Sequence, residues 1–158
     1  HIKFLLHFYN MVKLNFPDYN LKLKNRKNKP FIFDRVRKKW LICSPEEWVR
    51  VHCVNYIIED LGYPASWIRI EQEIRVYNRR KRFDIVVTDS IMKPNILVEC
   101  KAPSVKINQK TFEQITKYNF ELSCPFLMMS NGLENYFCKV NHQNKHIDFI
   151  NKLPEFKT

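Results

Sequence analysis

Apolar residues recur along this chain in two periods, and the switches between them mark its elements. Val51, Val54, Ile58 and Leu61 fall at helical spacing, which predicts a helix from Pro45 to about Leu61 with those four side chains as its buried stripe. Ser44-Pro45-Glu46-Glu47 signals its start. Ser44 can accept a backbone N–H as a cap, Pro45 suits the first helical position, and two acids meet the positive end of the helix dipole. Gly62 and Pro64 supply the stop.

The period then changes to two. Ile68, Ile70, Gln72, Ile74 and Val76 alternate as in a half-buried strand, and Asn78-Arg79-Arg80-Lys81 reads as a basic turn. Phe83 to Thr88 forms a second strand, Asp89 to Asn95 a polar turn, and Ile96 to Lys101 a third strand that ends at Ala102-Pro103. Phe112, Ile115, Tyr118 and Leu122 restore helical spacing over Gln109 to Leu122. Phe126 to Ser130 and Asn135 to Val140 read as two further strands around the Asn131-Gly132 turn. A strand, crossover helix, strand passage implies an α/β (α+β) fold in which a mixed sheet of four to five strands is flanked by helices.

Composition narrows the class. At 158 residues with 45% hydrophobic and 14% aromatic content, the chain can build its own core as one folding unit. Residues 1–43 are expected to form an N-terminal extension and basic arm, in which Leu21 to Trp40 reads as a short strand or hairpin packed on the body or, alternatively, as a solvated basic flap, and residues 44–158 the main domain. His1 to Asn10 precede Met11, and their IKFLLHF run is too short for a signal h-region, so they are left out of the fold argument. The net charge of +11 favours a polyanionic partner. No apolar run is long enough to span a bilayer and no helix pairs a basic face with a broad greasy one, so nucleic acid is favoured over membrane. The five cysteines are odd in number and lie mostly in apolar runs, which suits reduced, packed thiols in a cytoplasmic protein. Cys138, His142 and His146 are spaced like helical metal ligands, but the intervening stretch is polar and a structural zinc site wants a fourth ligand, so zinc is not expected.

The candidate chemistry lies on the strand pair. Residues two apart on a strand face the same way, so Glu99 and Lys101 project together from the end of an otherwise apolar strand, where charges cost desolvation unless they serve a purpose. Asp84 opens the neighbouring strand and can reach the same place. Two converging carboxylates make an oxygen-ligand site for Mg²⁺, with Mn²⁺ as substitute, and Lys101 can position a water or add positive charge beside it.

Asp84, fifteen positions, then Glu99-Cys100-Lys101 resembles the PD-(D/E)xK nuclease superfamily signature, with Phe83 standing where that motif usually has proline. Gln114 and Tyr118 look like the QxxxY element of a subset of these nucleases. Pro45-Glu46-Glu47-Trp48-Val49-Arg50, Leu61-Gly62-Tyr63-Pro64, Phe83 to Val87 and Glu99 to Pro103 most resemble the N-terminal nuclease domain of type I restriction enzyme R subunits and their small stand-alone relatives. The resemblance implies a restriction-endonuclease-like core, Mg²⁺ dependence and DNA cleavage. It carries metal-ligand roles to Asp84 and Glu99, a main-chain ligand role to Cys100 and a catalytic role to Lys101. In the related nucleases a first-helix acid also approaches the metal, a role that falls to Glu47.

Blander readings stand beside these. Glu47, three positions after Ser44, could instead close a capping box. Tyr118 on an apolar stripe could be core, Gln114 on the same face wants a polar partner, and Glu99 with Lys101 could be a strand-end ion pair. Arg79, Arg80, Lys81 and Arg82, with Arg50, are the cations expected at DNA phosphates, against the alternative of a solvated turn. The function expected is that of a metal-dependent endodeoxyribonuclease. The rival is a nucleic-acid-binding module of the same fold that needs a partner helicase or specificity subunit, and a homodimer is a further candidate assembly.

Overall fold

A computed structural model describes residues 11–157, so the first ten residues of the expected N-terminal extension lie outside the described residues. Three short strands, β1 (Leu23–Arg26), β2 (Lys29–Asp34) and β3 (Lys39–Ile42), form an antiparallel sheet of their own. The larger sheet has six strands in the sequential order β4 (Ile68–Val76), β5 (Arg79–Thr88), β6 (Pro94–Cys100), β7 (Phe126–Ser130), β8 (Asn135–Asn141) and β9 (His146–Ile150). All its pairings are antiparallel except β6 with β7, which are parallel and joined through a helix.

Two helices cover this sheet from opposite sides. Helix α1 (Pro45–Asn55) packs with Ile85, Val87, Ile96, Val98 and Met128 in one core cluster, and helix α2 (Gln109–Leu122) brings Ile115 to Val86, Leu97, Leu127 and Met129 in the other. The Ile85–Val87 stretch of β5, with Ile96–Val98 of β6 and Leu127–Met129 of β7, is therefore buried on both faces, which is why these stretches are continuously apolar. The three-stranded sheet contributes the fully buried Ile32 to the α1-side cluster, together with Leu14 and Cys43. The mixed α/β class expected from the sequence holds.

The helix caps follow the sequence. Ser44 accepts the Glu47 N–H at 3.1 Å, and Asn108 caps α2 by accepting the Thr111 N–H at 2.9 Å. Beyond Asn55 the chain continues as a π-helical turn, Tyr56–Asp60, in which the Leu61 N–H reaches back five residues to the Tyr56 carbonyl. The wider turn shifts the phase, so Ile57 is fully buried while Ile58, expected in the stripe, is only half-buried.

Three departures from the expected elements have local causes. The basic segment Arg79 to Lys81 is not a turn: it opens β5, paired with Val76, Arg75 and Ile74, and the turn is Tyr77-Asn78. Strand β9 was not expected, because its five residues carry two charged or titratable side chains and a weak apolar signal. Cys138, His142 and His146 fall along the β8–β9 hairpin rather than on a helix. There His142 Nε2 meets the Cys124 carbonyl at 2.7 Å and His146 pairs with Asp148, so no shared metal position arises. All five cysteines are free and buried, and burial pushes the Cys43 and Cys124 thiols up to about 12. No described helix is long and apolar enough to cross a membrane.

The β7–β8 turn is tied to the amino-terminal segment. Gly132 has φ +83°, and a Cβ there would stand 2.6 Å from Leu14 Cδ2, while the Gly132 carbonyl accepts the Asn15 N–H at 2.7 Å. Gly132→Ala is expected to lower unfolding free energy by about 1–3 kcal/mol, through left-handed backbone strain and overpacking against Leu14. A thermal melt unchanged by the substitution would contradict that packing.

Candidate active site

The β5–β6 ladder ends with Ile85 paired to Val98. Asp84, in the middle of β5 rather than at its start, and Glu99 are the next residues on the two strands, near enough for the Asp84 charge to act on the Glu99 carboxyl. The Asp84 carboxylate is fixed by two donors: the Cys100 backbone N–H at 2.7 Å from Oδ2 and Arg50 Nη2 at 3.0 Å from Oδ1. Lys101 leaves the end of β6, where its own N–H donates to the Ser130 carbonyl at 2.8 Å, and its Nζ lies 3.9 Å from Glu99 Oε1. The two acids and the lysine expected from the sequence thus share one strand-end site.

A local irregularity aims Asp84 at this site. Between Ile70 paired with Ile85 and Gln72 paired with Phe83, the β4–β5 ladder omits Glu71 and Asp84, and Glu71 adopts a left-handed φ of 54°. For a residue with a Cβ such backbone costs about 1–2 kcal/mol, and irregularities of this kind re-aim side chains where strands meet functional sites. Phe83 then joins the α2-side cluster with Val86, while Asp84 reaches Arg50 on α1.

Glu99 is only 14% exposed at its side chain. Burial, and after it the Asp84 carboxylate, push its carboxyl up to about 7, with Lys81 and Lys101 acting in the opposite direction. The unfolded chain releases this proton near the ordinary value of 4.5 and the folded chain near 7. Between those values the folded state holds the extra proton, so stability falls as pH rises, and the penalty is complete above about 7. Glu99→Gln removes it. In chelator, the variant is expected to gain up to about 3 kcal/mol over wild type at pH 8 and nothing at pH 4. A difference in melting temperature that stays flat across pH would rule this out.

Arg50 was expected at DNA phosphates, and the structure places it elsewhere. Its side chain is 5% exposed and inserted among the acids. It is hydrogen-bonded to Glu47, pairs with Glu46 at 2.9 Å and Asp84 at 3.0 Å, and lies 4.0 Å from Glu71. Burial is the largest single influence and opposes the guanidinium charge, but Asp84, Cys100 and Glu71 together outweigh it and the net shift is upward. This cation holds the carboxylates together, and its burial, with Nε buried and unpartnered, keeps it from a phosphate.

Glu47 faces the site rather than closing a capping box. The Ser44 N–H goes to the Ile42 carbonyl, and the Glu47 carboxylate takes Arg50 and, at 2.7 Å, Arg37 Nη2. Arg37 comes from the β2–β3 turn and also pairs with Asp34 at 2.7 Å and Glu71 at 3.2 Å. Arg37, Glu46 and Glu71 are therefore members that sequence reasoning missed. Glu46 stands in the Pro45–Arg50 stretch but reads there only as a helix-start acid, while Arg37 and Glu71 belong to no motif and are brought in by the folding of distant segments.

The remaining residues divide. Tyr118 is half-buried with Lys81 Nζ 4.3 Å from its ring centroid, and Lys81 also acts on Glu99, so both stand beside the site. Gln114 is exposed on α2 and has no hydrogen bond to the acids among the described residues. Arg79 is exposed, Arg80 lies loosely 3.8 Å from Glu73, and Arg82 pairs with Glu71 at 2.6 Å while its side chain stays 61% exposed. These cations flank the acids along the β4–β5 hairpin.

Among the described residues no three Asp, Glu, His or Cys side chains converge as a ready metal cage. Mg²⁺ does not need one. It keeps several waters and takes one or two carboxylates; burial does most to raise the Glu99 carboxyl, and the Asp84 repulsion that adds to it is what a divalent ion would relieve.

A mixed sheet between helices, with Asp84 of β5 close to Glu99 of β6 and Lys101 just past the end of β6, is a restriction-endonuclease-like α/β core. The family model described as type I restriction enzyme R protein N terminus matches residues 45–154, and the chain belongs to that family. No curated protein matches it. The match begins at α1 and takes in the whole six-stranded sheet, leaving the three-stranded sheet outside it.

Proposed function

We propose that this domain is a Mg²⁺-dependent endodeoxyribonuclease, hydrolysing phosphodiester bonds of DNA. The observation that carries the reading is the meeting of Asp84, in the middle of β5, with Glu99 and Lys101 at the end of β6 in a chain of the restriction-enzyme R protein family. Asp84, Glu99 and the Cys100 carbonyl would hold the ion, with Mn²⁺ as a substitute. When bound, it supplies a water of lowered pKa and neutralises charge growing on the phosphate oxygens.

The protein's own groups do the rest. The Cys100 N–H and Arg50 orient Asp84 so that its carboxylate does not need to reorganise. Lys101 offers an ammonium at the strand end, able to hold an attacking water or to add positive charge beside the scissile phosphate. Arg79, Arg80 and Arg82 attract the DNA backbone along the hairpin, and Lys81 is held against Tyr118 near Glu99. Tyr118 acts through Lys81 on this reading, and Gln114 is left for contact with bound DNA.

One observation favours the rival, a binding module that turns over only with a helicase or specificity subunit. Arg37 and Arg50 already neutralise Glu47, and Arg50 also pairs with Asp84. Incubating the purified chain with supercoiled plasmid in Mg²⁺, Mn²⁺, Ca²⁺ or chelator separates the two. The nuclease reading expects nicking or linearisation with Mg²⁺ or Mn²⁺ alone, lost in Lys101→Ala. DNA binding with no cutting in any metal supports the module, and equal cutting by wild type and Lys101→Ala removes the site assignment.

A further inference from the structure

The three-stranded sheet turns two different faces outward and inward. Leu23, Ile32 and Leu41 are cross-strand partners on the side that meets the core. The other side carries Lys24, Phe31 and Ile42 in one row and Phe33 with Trp40 in the next, where the Phe33 N–H also joins the Lys22 carbonyl at 3.0 Å. Trp40 is 36% exposed and Ile42 54%, so this aromatic face is open to solvent. The Phe33 and Trp40 rings meet edge to face with centroids 5.5 Å apart. Lys24 Nζ lies 4.0 Å from the Trp40 centroid and Lys22 Nζ 5.6 Å from that of Phe33.

Charge decides what such a face takes. Leu21 to Trp40 holds nine Lys or Arg and one acid, Asp34. Asp34 is buried and consumed by Arg37 and by the Val36 and Arg37 N–H groups. Arg35 pairs with Glu59 and Arg37 with Glu47 and Glu71, whereas Lys22, Lys24, Arg26, Lys27, Lys29, Lys38 and Lys39 have no ion pair among the described residues. That concentration repels a second copy of the same face and attracts a polyanion.

We propose that this face binds single-stranded nucleic acid, with unpaired bases stacked on Trp40 and Phe33 and phosphates held by Lys22 and Lys24. Rings with exposed faces beside long cationic side chains suit a single strand, because every base offers a π-face once it is unstacked. A duplex keeps its bases stacked inside and would meet these rings only with its backbone. Each lysine now resting on a ring is free to swing to a phosphate when a base arrives, since an exposed cation–π contact is weaker than a stacked base. The sheet is anchored beside the candidate active site through Arg37, and it lies outside the segment shared with the family. The proposal does not depend on cleavage, and its test is run in chelator so that the two stand or fall separately.

The full chain is titrated into fluorescein-labelled oligo-dT and oligo-U of about ten nucleotides, a length matched to sheet-borne single-strand sites, and into a duplex of equal length. Anisotropy and tryptophan quenching are read across a salt series. Single strands are expected to quench Trp40, and Trp40→Ala to weaken their binding about 5- to 100-fold with the salt slope unchanged. Trp40→Phe should recover most of the affinity and Trp40→Leu should not, which separates stacking from damage to the sheet. Duplex binding should change less than about twofold, because its phosphate contacts remain. A preference of oligo-dT over oligo-U, or the reverse, identifies which nucleic acid is the natural ligand. Equal loss for duplex and single strand, undiminished single-strand binding by Trp40→Leu, or identical quenching by base-free polyphosphate would each overturn the proposal.

Discussion

Lys101→Ala should leave DNA binding within about twofold of wild type and lower Mg²⁺-dependent cleavage by roughly 10²- to 10³-fold, the loss typical when one preorganised charge is removed from a developing anion. The separation follows from where the lysine sits. Its side chain is 35% exposed at the end of β6, outside both core clusters, so its removal leaves no cavity. Its only ion-pair partner among the described residues is Glu99 at 3.9 Å, a loose contact that contributes little to folding. Many other cations remain to attract the DNA backbone. Single-turnover cleavage of labelled DNA beside a binding isotherm in Ca²⁺ checks both halves. Parallel loss of binding and cutting would make Lys101 one phosphate contact among many rather than a participant in the reaction.

Arg50→Ala should be among the most destabilising single substitutions in the chain, at about 3–5 kcal/mol, the range seen when one partner of a buried ion pair is removed. Its guanidinium is the common partner of Glu46, Glu47 and Asp84. Without it those carboxylates face one another with Arg37 alone to offset Glu47, while Glu99 adds a fourth acid nearby. Arg50→Lys should recover part of the loss, because one ammonium cannot serve three carboxylates with the geometry of a planar fork. Divalent ions should matter more to the variant than to wild type: if the acids form a cation site, millimolar Mg²⁺ should raise the melting temperature of Arg50→Ala more than that of wild type. Denaturant melts with and without Mg²⁺ decide this. A melting temperature unchanged by the substitution would show that the acids do not need their internal cation.

The same arrangement explains why one candidate cation was misread from the sequence. Arg50 lies in Pro45-Glu46-Glu47-Trp48-Val49-Arg50, and in one dimension it is another basic residue in a basic chain. Its spacing from Glu46 and Glu47 allows helical ion pairs, but nothing local says that Asp84 arrives from β5 to complete its coordination. Burial then turns a residue expected to meet phosphate into the one that holds the carboxylates. Glu71 shows the complementary limit: it sits within an alternating strand pattern, and its left-handed backbone is visible only once the β4–β5 register is known.

Elements with strong local chemistry were legible. The α1 cap, the limits of α2 at Gln109 and Leu122, and the apolar strands β6 and β7 follow from capping groups and periodicity, because those signals lie within a few residues of the structure they specify. Elements whose stability comes from a neighbour were not. The lysine-rich arm, with its one apolar triplet Phe31-Ile32-Phe33, was legible only as a short strand or hairpin packed on the body; that it makes three strands depends on Ile32 being buried in a core built by other segments. The basic start of β5 is a strand because β4 pairs with it, and β9 because β8 does.

By itself the sequence determined the fold class, the single strand end on which Glu99 and Lys101 project, and the surplus of positive charge that selects a polyanion. Tertiary structure alone decided that Asp84 is fixed by Arg50 and the Cys100 N–H, that Arg37 and Arg50 hold the acids, and that Phe33 and Trp40 share an open face with Lys22 and Lys24. The physical reason is range. Periodicity and capping act over a few residues, whereas electrostatic and packing partners are set by which segments the core brings within a few ångströms of one another.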